Sequence, residues 1–302
     1  MRNAFAKQIT KLAEKNKKII LLSGDIGNRL FDDFKNKCKN QFYNCGVAEN
    51  NMVGVAAGLA KEGFIPFVYT IAPFLVARSY EQIKLDICYQ KLNVKIIGTG
   101  AGLSYSRLGT THHSLDDISL MKNIPNMNIV SPGDPVEVIE LTKQIAKIKK
   151  PFYLRLGKKG EPIINQKKEI KFTKINQIFK GKDICIISIG NTLKIGNELR
   201  NELIKKNIKA SLYSLHTLVP INLKQLKKIL NKYNKIFFME EHYFESGIIK
   251  EILFHLKDKL KYKNVYYEKI EKKFYTGLGE QNEARIFFKL TAKDLLKKIN
   301  FD

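Results

Sequence analysis

Residues 45–70 read CGVAENNMVGVAAGLAKEGFIPFVYT and contain the pattern that most directly indicates the fold class. Positions 50–62 are rich in Ala, Val and Met, which is typical of a helix that is mostly buried. Positions 64–70 form a short apolar run with aromatic and β-branched residues, which predicts a buried strand. A helix that leads directly into a buried strand is the repeating unit of an α/β sheet.

The same alternation continues on both sides of this unit. Pro132-Gly133-Asp134-Pro135 predicts the start of one more helix. Runs of strands separated by helices favour a parallel, doubly wound α/β sheet. We expect further strands at 18–23, 93–98, 128–131 and 152–156, and further helices at 4–16 and 74–90.

The chain changes character between residues 157 and 182, where it becomes polar and rich in Lys. We interpret this segment as an interdomain connection that contains short strands. A second α/β unit follows, with strands predicted at 184–189, 210–214 and 235–239 and helices at 193–206, 223–232 and 247–256. The sequence therefore predicts two doubly wound domains with mainly parallel sheets, at 1–160 and 181–302, joined by a linker at 161–180.

The composition is that of a folded globular protein with a strongly basic charge. The 302 residues are 44% hydrophobic and 27% charged, with 53 basic and 29 acidic side chains and a formal charge of +24. These values exclude a disordered chain, a collagen repeat and a disulfide-stabilised miniprotein. Only seven of the 53 basic residues are Arg, and Lys is spread over the whole chain. We therefore predict no nucleic-acid binding, whereas attraction to an anionic substrate or an acidic partner stays open.

Cysteines and apolar runs give little sign of metal binding or of a membrane. The four cysteines form neither a CxxC pair nor a Cys/His metal spacing, so we expect buried free thiols in a reducing compartment and no metal ligands in this chain. No apolar run is long enough to span a bilayer, and residues 1–7 lack a signal-peptide core. We expect a cytoplasmic protein that does not bind a membrane.

Glu49 is the first candidate for chemistry, because it opens an otherwise apolar helix directly after a predicted strand. A carboxylate at a helix N-terminus can simply stabilise the helix dipole. Its neighbours Val47, Ala48, Met52 and Val53 offer no partner charge, so we expect desolvation to suit Glu49 to proton exchange with a ligand. Both interpretations stay open at this point.

Two further segments lie where ligands of open α/β sheets bind, beyond the carboxyl ends of strands. Residues 70–82 carry Phe74, which could be ordinary core. Residues 98–102, GTGAG, form a glycine-rich turn that lacks the nucleotide-binding spacing. The loop after it contains His112, which could be a surface residue or a proton-transfer group.

In this order and spacing, the segments resemble the pyrimidine-binding domain of transketolase-like thiamine diphosphate enzymes. The matching pieces are GVAENNM (46–52), the element around Phe74, GTTHHSLDDI (109–118) and IPNMNIVSPGDPVEV (124–138). The resemblance continues into the C-terminal domain of that family through ISIGNTL (187–193), SLHTLVPIN (214–222) and MEEHYFESG (239–247). The chain is most similar to the separate C-terminal subunit of a split transketolase.

The resemblance implies thiamine diphosphate as cofactor and a role for four residues of this chain. Glu49 matches the residue that hydrogen-bonds the aminopyrimidine ring, and Phe74 matches the aromatic residue that stacks on that ring. His112 matches the histidine near the reacting sugar hydroxyls, and Asp25 is expected close to the cofactor. The domain that holds the diphosphate and its Mg or Ca ion has no match here, so the resemblance implies a partner N-terminal subunit and an α2β2 assembly.

The substrate end departs from the family pattern. Ser106-Arg107-Leu108 stands where the family has Gly-Glu-Asp, and Gly100 stands where it has a histidine that contacts the sugar phosphate. Arg29 and Lys158 align with a serine and a basic residue that have a similar role toward the sugar phosphate in the family. The cations expected to contact a substrate anion are Arg29, Arg107, Arg155 and Lys158. We expect a two-carbon ketol transfer between sugars that include an unusual one, such as a deoxy, branched or nucleotide-linked sugar.

Two other functions are compatible with the same sequence. The β subunit of a 2-oxo acid dehydrogenase has the same order of two domains, although GTTHHSLDDI (109–118) favours a transketolase. A basic binding protein on an inactivated scaffold is the second alternative, and the presence of Glu49, Phe74 and His112 argues against it.

Overall fold

The chain forms two mostly parallel sheets covered by helices, as the alternation of strands and helices predicts. The computed structural model describes residues 1–27, 29–158, 160–166 and 169–299. The predicted α/β fold is confirmed. The core strands at 19–23, 95–99 and 152–156 are buried along their whole length, because helices cover both faces of the sheet.

The first sheet is built mainly from the N-terminal half. Its strands are β1 (Ile19–Ser23), β2 (Phe42–Asn44), β3 (Ile65–Ile71), β4 (Lys95–Thr99), β5 (Asn128–Val130) and β6 (Phe152–Leu156). Its helices are α1 (Arg2–Lys15), α2 (Asp32–Lys37), α3 (Glu49–Lys61), α4 (Ala72–Arg78), the single turn α5 (Tyr80–Gln82), α6 (Asp117–Lys122) and α7 (Pro135–Ile145).

The second sheet lies in the C-terminal half. The strands of the C-terminal half are β7 (Asn176–Phe179), β8 (Ile184–Ser188), β9 (Ala210–Ser214), β10 (Thr217–Val219), β11 (Lys235–Met239) and β12 (Asn264–Tyr267). All of them except β10 belong to the second sheet. The helices are α8 (Leu193–Lys205), α9 (Leu223–Leu230), α10 (Ile248–His255), α11 (Lys257–Leu260), α12 (Gln281–Phe287) and α13 (Ala292–Leu296).

The strand orders are β10-β5-β6-β4-β3-β1-β2 and β12-β11-β8-β9-β7. All neighbours are parallel except the two edge pairs β10·β5 and β7·β9. Strand β10 belongs by sequence to the C-terminal half but pairs with β5 of the first sheet, which joins the two halves by backbone hydrogen bonds. Strand β7 lies inside the predicted linker at 161–180, so the second sheet begins earlier in the chain than residue 181.

The helix predicted at 74–90 is divided in the structure. It begins at Ala72, ends as α4 at Arg78, and resumes after Ser79 as α5 and a π-helix over Ile83–Tyr89. The π-helix keeps Ile83, Ile87 and Cys88 buried. Apolar periodicity predicted the helical segment, but its break depends on packing that the pattern does not encode.

A buried polar cluster ties the two halves together at the start of α7. Asp134 caps this helix by accepting a hydrogen bond from the Glu137 N–H (2.9 Å), and its other oxygen accepts from the N–H groups of Ile164 and Asn165. Glu137 accepts from the Ser214 hydroxyl (2.8 Å) and the Asn176 amide (3.2 Å) of the second sheet. Burial raises the pKa of both carboxyl groups, Asp134 and Glu137.

Arg155, expected to contact a substrate anion, is instead part of the protein interior, and that expectation is wrong. The residue is 1% exposed, and its Nε donates to Asp117 Oδ2 (2.8 Å). Its Nη2 donates to the carbonyl oxygens of Ser114 and Glu241, each at 3.1 Å. Because the guanidinium is buried and committed to these acceptors, it holds the loop at Ser114 against the C-terminal half.

Breaking this pair is expected to destabilise the fold. Arg155→Met leaves the Asp117 carboxylate buried without its cation and should lower the free energy of unfolding by about 3–5 kcal/mol. Urea denaturation followed by circular dichroism measures the change. The double variant Arg155→Met/Asp117→Asn removes both charges and should lose less than the single variant. An Arg155→Met protein as stable as the wild type would contradict the structural role.

Candidate functional site

Three of the predicted site residues, Glu49, Phe74 and His112, come together near the carboxyl edge of β3 and β4. Strand β3 runs directly into α4, which carries Phe74. The turn after β4 leads to the loop that carries His112. Helix α3 begins with Glu49 beside the same edge. Ligands of open α/β sheets bind at such an edge, as the sequence predicts.

Glu49 is buried at the first turn of α3, and its helix position favours the negative charge. Its Oε2 accepts a hydrogen bond from Arg78 Nη1 at 3.2 Å. The side chain of Glu49 is 4% exposed and that of Arg78 is 48% exposed, so the pair lies at the mouth of the site. The expectation that Glu49 lacks a charged partner is therefore wrong: the partner lies 29 positions away on another helix.

Phe74 lies at the third position of α4 and forms the centre of the site. The guanidinium carbon of Arg78 lies 4.5 Å from the centroid of the Phe74 ring. The ring of His112 approaches the same ring edge-on, with 5.0 Å between the centroids. Phe74 is only partly buried, unlike the core aromatic residues Phe67 and Tyr69 on the preceding strand. An aromatic ring that is partly open beside a carboxylate can receive a flat heterocycle.

His112 ends a short 3-10 turn, Thr110–His112, that directly follows Gly109. Its Nδ1 is 2.9 Å from the Thr111 hydroxyl. With that hydroxyl as donor, the proton of the neutral ring resides on Nε2. Burial, followed by the neighbouring His113, lowers the pKa of His112 below its ordinary value. The ring is therefore mostly neutral at neutral pH, and in this tautomer it can donate from Nε2 to a ligand.

Tyr105 is a site residue that the sequence analysis missed. Gly100 has a φ of +81°, and a Cβ there would overlap Tyr105 Cδ2, so the Tyr105 ring fills the space of a side chain at position 100. Its ring is 6.2 Å from that of His112. The absence of a side chain at Gly100 is thus matched by an aromatic ring five residues later. The only sequence signal is the aromatic residue inside the loop.

Two cations flank Tyr105. Arg2 Nη1 donates to the Tyr105 hydroxyl at 3.3 Å, and Lys158 Nζ lies 5.2 Å from the ring centroid. The Arg2 N–H also donates to the Lys158 carbonyl (3.3 Å), so the two residues adjoin. Lys158 was expected here from the sequence, whereas Arg2 was missed because it is far away in the chain.

Arg29 and Arg107 lie at the periphery. Arg29 is exposed and lines a groove of about 860 Å³ together with Arg2 and Lys7. Arg107 is 71% exposed, and its Nη1 is 3.5 Å from Glu280 Oε1. The neighbouring Leu108 is 52% exposed. The structure thus groups Arg29 with Arg2 and directs Arg107 toward the C-terminal half.

Asp25 lies in the turn after β1, where it has a φ of 52°. It is exposed, and its Oδ1 accepts a hydrogen bond from Asn44 Nδ2 at 2.8 Å. This contact fixes the turn against strand β2. The structure shows a role for Asp25 in the turn, and proximity to a cofactor stays a prediction.

The loop from Gly100 to Ser114 is held in place by Glu241 of the C-terminal half, which is 0% exposed. Glu241 Oε1 accepts from the Leu103 N–H (2.8 Å) and Asn191 Nδ2 (2.9 Å), and Oε2 accepts from Arg285 Nε (2.5 Å). Burial alone would raise the pKa of Glu241, but these donors, chiefly the Arg285 guanidinium, hold it below the usual range. The C-terminal half therefore positions the loop that carries Tyr105 and His112.

Metal-ligating clusters and membrane-spanning helices are absent from the described part of the chain. In residues 1–27, 29–158, 160–166 and 169–299, no three His, Cys, Asp or Glu side chains are grouped so that they could hold a metal ion. Over the same ranges, every helix is too short or too polar to cross a bilayer.

Comparison with known proteins assigns both halves to one family. Residues 1–161 match the pyrimidine-binding domain of transketolase, and residues 173–292 match the transketolase C-terminal domain. An apulose-4-phosphate transketolase subunit of Phocaeicola vulgatus is 35% identical over 250 residues, which cover 82% of this chain and 80% of that protein. A 6-deoxy-6-sulfo-D-fructose transketolase subunit of Clostridium sp. is 30% identical and covers 74% of this chain and 70% of that protein.

The fold has a similar counterpart among solved structures. A split-gene transketolase, solved as an inactive β4 tetramer, superposes with a TM-score of 0.84 at 30% sequence identity. The match covers 98% of this chain and 95% of that one, so it includes both sheets.

The electrostatic environment of His112 predicts its titration. Because burial and His113 both disfavour the imidazolium, His112 should titrate with a midpoint below pH 6.5. His113→Gln removes one of these causes and should move the midpoint upward. NMR titration of the histidine ring protons, assigned with His112→Gln, measures both values. A wild-type midpoint at or above pH 6.5 would show that the loop does not shield His112 as described.

Proposed function

The chain belongs to the transketolase family, and we propose that it is the C-terminal subunit of a split, thiamine diphosphate-dependent enzyme that transfers a two-carbon ketol unit between sugars. The series of contacts from Glu49 through Arg78 and Phe74 to His112 carries this proposal. It brings a buried carboxylate, an open aromatic ring and a neutral imidazole together at the edge of a transketolase pyrimidine-binding domain.

The residues of the site fit the pyrimidine half of the cofactor. When bound, thiamine diphosphate supplies the electron sink for a carbanion. Phe74 would stack on the pyrimidine ring, since it is only partly buried beside Arg78 and His112. Glu49 would hold a proton between its carboxylate and a ring nitrogen, because it is buried and is linked to Phe74 through Arg78. His112 would donate from Nε2 to an oxygen of the sugar.

The diphosphate half of the cofactor is proposed to lie on a partner. The described residues contain no acidic cluster that could hold the Mg or Ca ion that balances a diphosphate. An N-terminal transketolase subunit would supply that ion and the diphosphate contacts, and the expected assembly is α2β2. Relatives whose names describe single transketolase subunits, and the solved split-gene transketolase, support a division of the enzyme over two chains.

The substrate is proposed to be an anionic sugar. Arg2 and Lys158 both contact Tyr105, and Arg29 lines the adjoining groove together with Asp32 and Asp33, so three cations lie at this end where a substrate anion could be bound. The names of two relatives specify a sugar phosphate and a sulfonated sugar, both of which carry an anion away from the reacting carbon. A phosphate or sulfonate contact with Arg2 and Lys158 would orient such a sugar.

The β subunit of a 2-oxo acid dehydrogenase is the second candidate. It would use the same pyrimidine-binding residues, but it transfers an acyl group from a 2-oxo acid rather than a ketol unit from a sugar. The two relatives described above are named for sugars, which favours the transketolase. Product analysis of the assembled enzyme with a ketose and with a 2-oxo acid separates the two functions.

Glu49→Gln should nearly abolish turnover of the enzyme assembled with its partner. The amide keeps the shape of the side chain but cannot share a proton with the pyrimidine, and loss of such a group typically lowers kcat by about 10²–10⁴. Steady-state assays and gel filtration of the same preparation measure turnover and assembly. A variant that keeps more than roughly a tenth of the wild-type kcat would remove Glu49 from the mechanism.

Arg2→Met and Lys158→Met should each raise KM for a phosphorylated acceptor, by about tenfold, with a smaller effect on kcat. A remote anion contact is made in the ground state and in the transition state, so its loss acts mainly on binding. Assays with a sugar phosphate and with the same sugar lacking phosphate measure the difference, and Lys84→Met on the surface is the matched control. Equal KM changes for both sugars would place the anion elsewhere.

A further inference from the structure

Arg78 contacts both residues that the proposed function assigns to the pyrimidine ring. Its Nη1 is 3.2 Å from Glu49 Oε2, and its guanidinium carbon is 4.5 Å from the centroid of Phe74. A ring that stacks on Phe74 and hydrogen-bonds Glu49 would need both of these places. One side chain therefore occupies the two contacts that define the pyrimidine site.

The charges of Arg78 and Glu49 are each stabilised by their own helix end, so each can give up the other as its partner. Arg78 ends α4, where the helix dipole favours a cation, and its side chain is 48% exposed to water. Glu49 opens α3, where the dipole favours an anion. When the pair opens, Arg78 can extend into solvent, and Glu49 keeps its favourable helix end and is free for a new hydrogen-bond donor.

From these contacts we propose that Arg78 is a positioning residue that covers the pyrimidine site of the isolated chain and withdraws when the cofactor binds. The inference rests on the proposed function. It adds that Arg78 and the pyrimidine compete for the Glu49 carboxylate and for the face of the Phe74 ring. The ion pair also holds the Glu49 side chain at the mouth of the site until that exchange. Glu49 and Phe74 are thus already in position for the cofactor, but both must lose their contact with Arg78 before it binds.

The test uses the isolated full chain and the pyrimidine half of the cofactor alone, 4-amino-5-hydroxymethyl-2-methylpyrimidine, so that no diphosphate contact is required. Arg78→Met should bind this probe about tenfold more tightly than the wild type, the size expected from an ion pair with one exposed partner and a cation–π contact. Arg78→Lys should bind with an intermediate affinity, because Lys can pair with Glu49 but cannot lie flat on Phe74. Calorimetry or ligand-observed NMR gives the dissociation constants.

Ionic strength provides a readout that a purely structural role would not change. Salt screens the half-exposed pair of Arg78 and Glu49, so the wild type should bind the probe more tightly as salt is raised. Arg78→Met should show no such rise. Lys84→Met removes an exposed cation of the neighbouring helical segment and should behave like the wild type in both measurements.

The controls separate failure of this inference from failure of the proposed function. If Arg78→Met binds the probe no more tightly while Glu49→Gln and Phe74→Ala weaken binding, Arg78 does not cover the site and the inference is wrong. If Glu49→Gln and Phe74→Ala bind the probe as the wild type does, the pyrimidine site itself is misplaced. A wild-type affinity that does not rise with salt also overturns the competition.

Discussion

The candidate site depends on two buried ion pairs that hold one loop. Arg155 pairs with Asp117 inside the first half, and Glu241 pairs with Arg285 inside the second. Both pairs also bind backbone groups of the loop from Gly100 to Ser114: Arg155 donates to the Ser114 carbonyl, and Glu241 accepts from the Leu103 N–H. Burying such charges is costly unless they are paired, so the two pairs hold the backbone of the loop at Ser114 and Leu103. Because β10 also extends the first sheet, the position of the loop depends on both halves of the chain.

The packing around Gly100 shows how one position without a side chain changes the surface at the proposed substrate end. A glycine at position 100 removes a side chain, and the ring of Tyr105 occupies that space. The ring brings the Tyr105 hydroxyl to Arg2 and its face to Lys158. Any anion at this end is therefore met by cations around an aromatic ring. The departure from the family pattern at Gly100 and the position of the Tyr105 ring belong to one packing arrangement.

The fold class could be predicted from the sequence alone, and so could the residues that we propose for the pyrimidine site. Alternating helices and strands follow from local apolar periodicity, so the predicted strands lie close to their observed positions, whereas β10 and β12 were not predicted. Glu49, Phe74 and His112 could be proposed as site residues because each lies within a continuous motif near the end of a strand or the start of a helix. Short-range patterns are sufficient for features of this kind.

Which charged side chains are buried in ion pairs and which remain accessible became clear only from the folded chain. Arg155 has the same side chain as Arg2, but one is sealed beside Asp117 and the other adjoins Tyr105. The pairing of Arg78 with Glu49 joins two helices, and the pairing of β10 with β5 joins two domains. Such contacts depend on how distant segments pack, and burial decides the partners of a charge, so no local pattern could have indicated them.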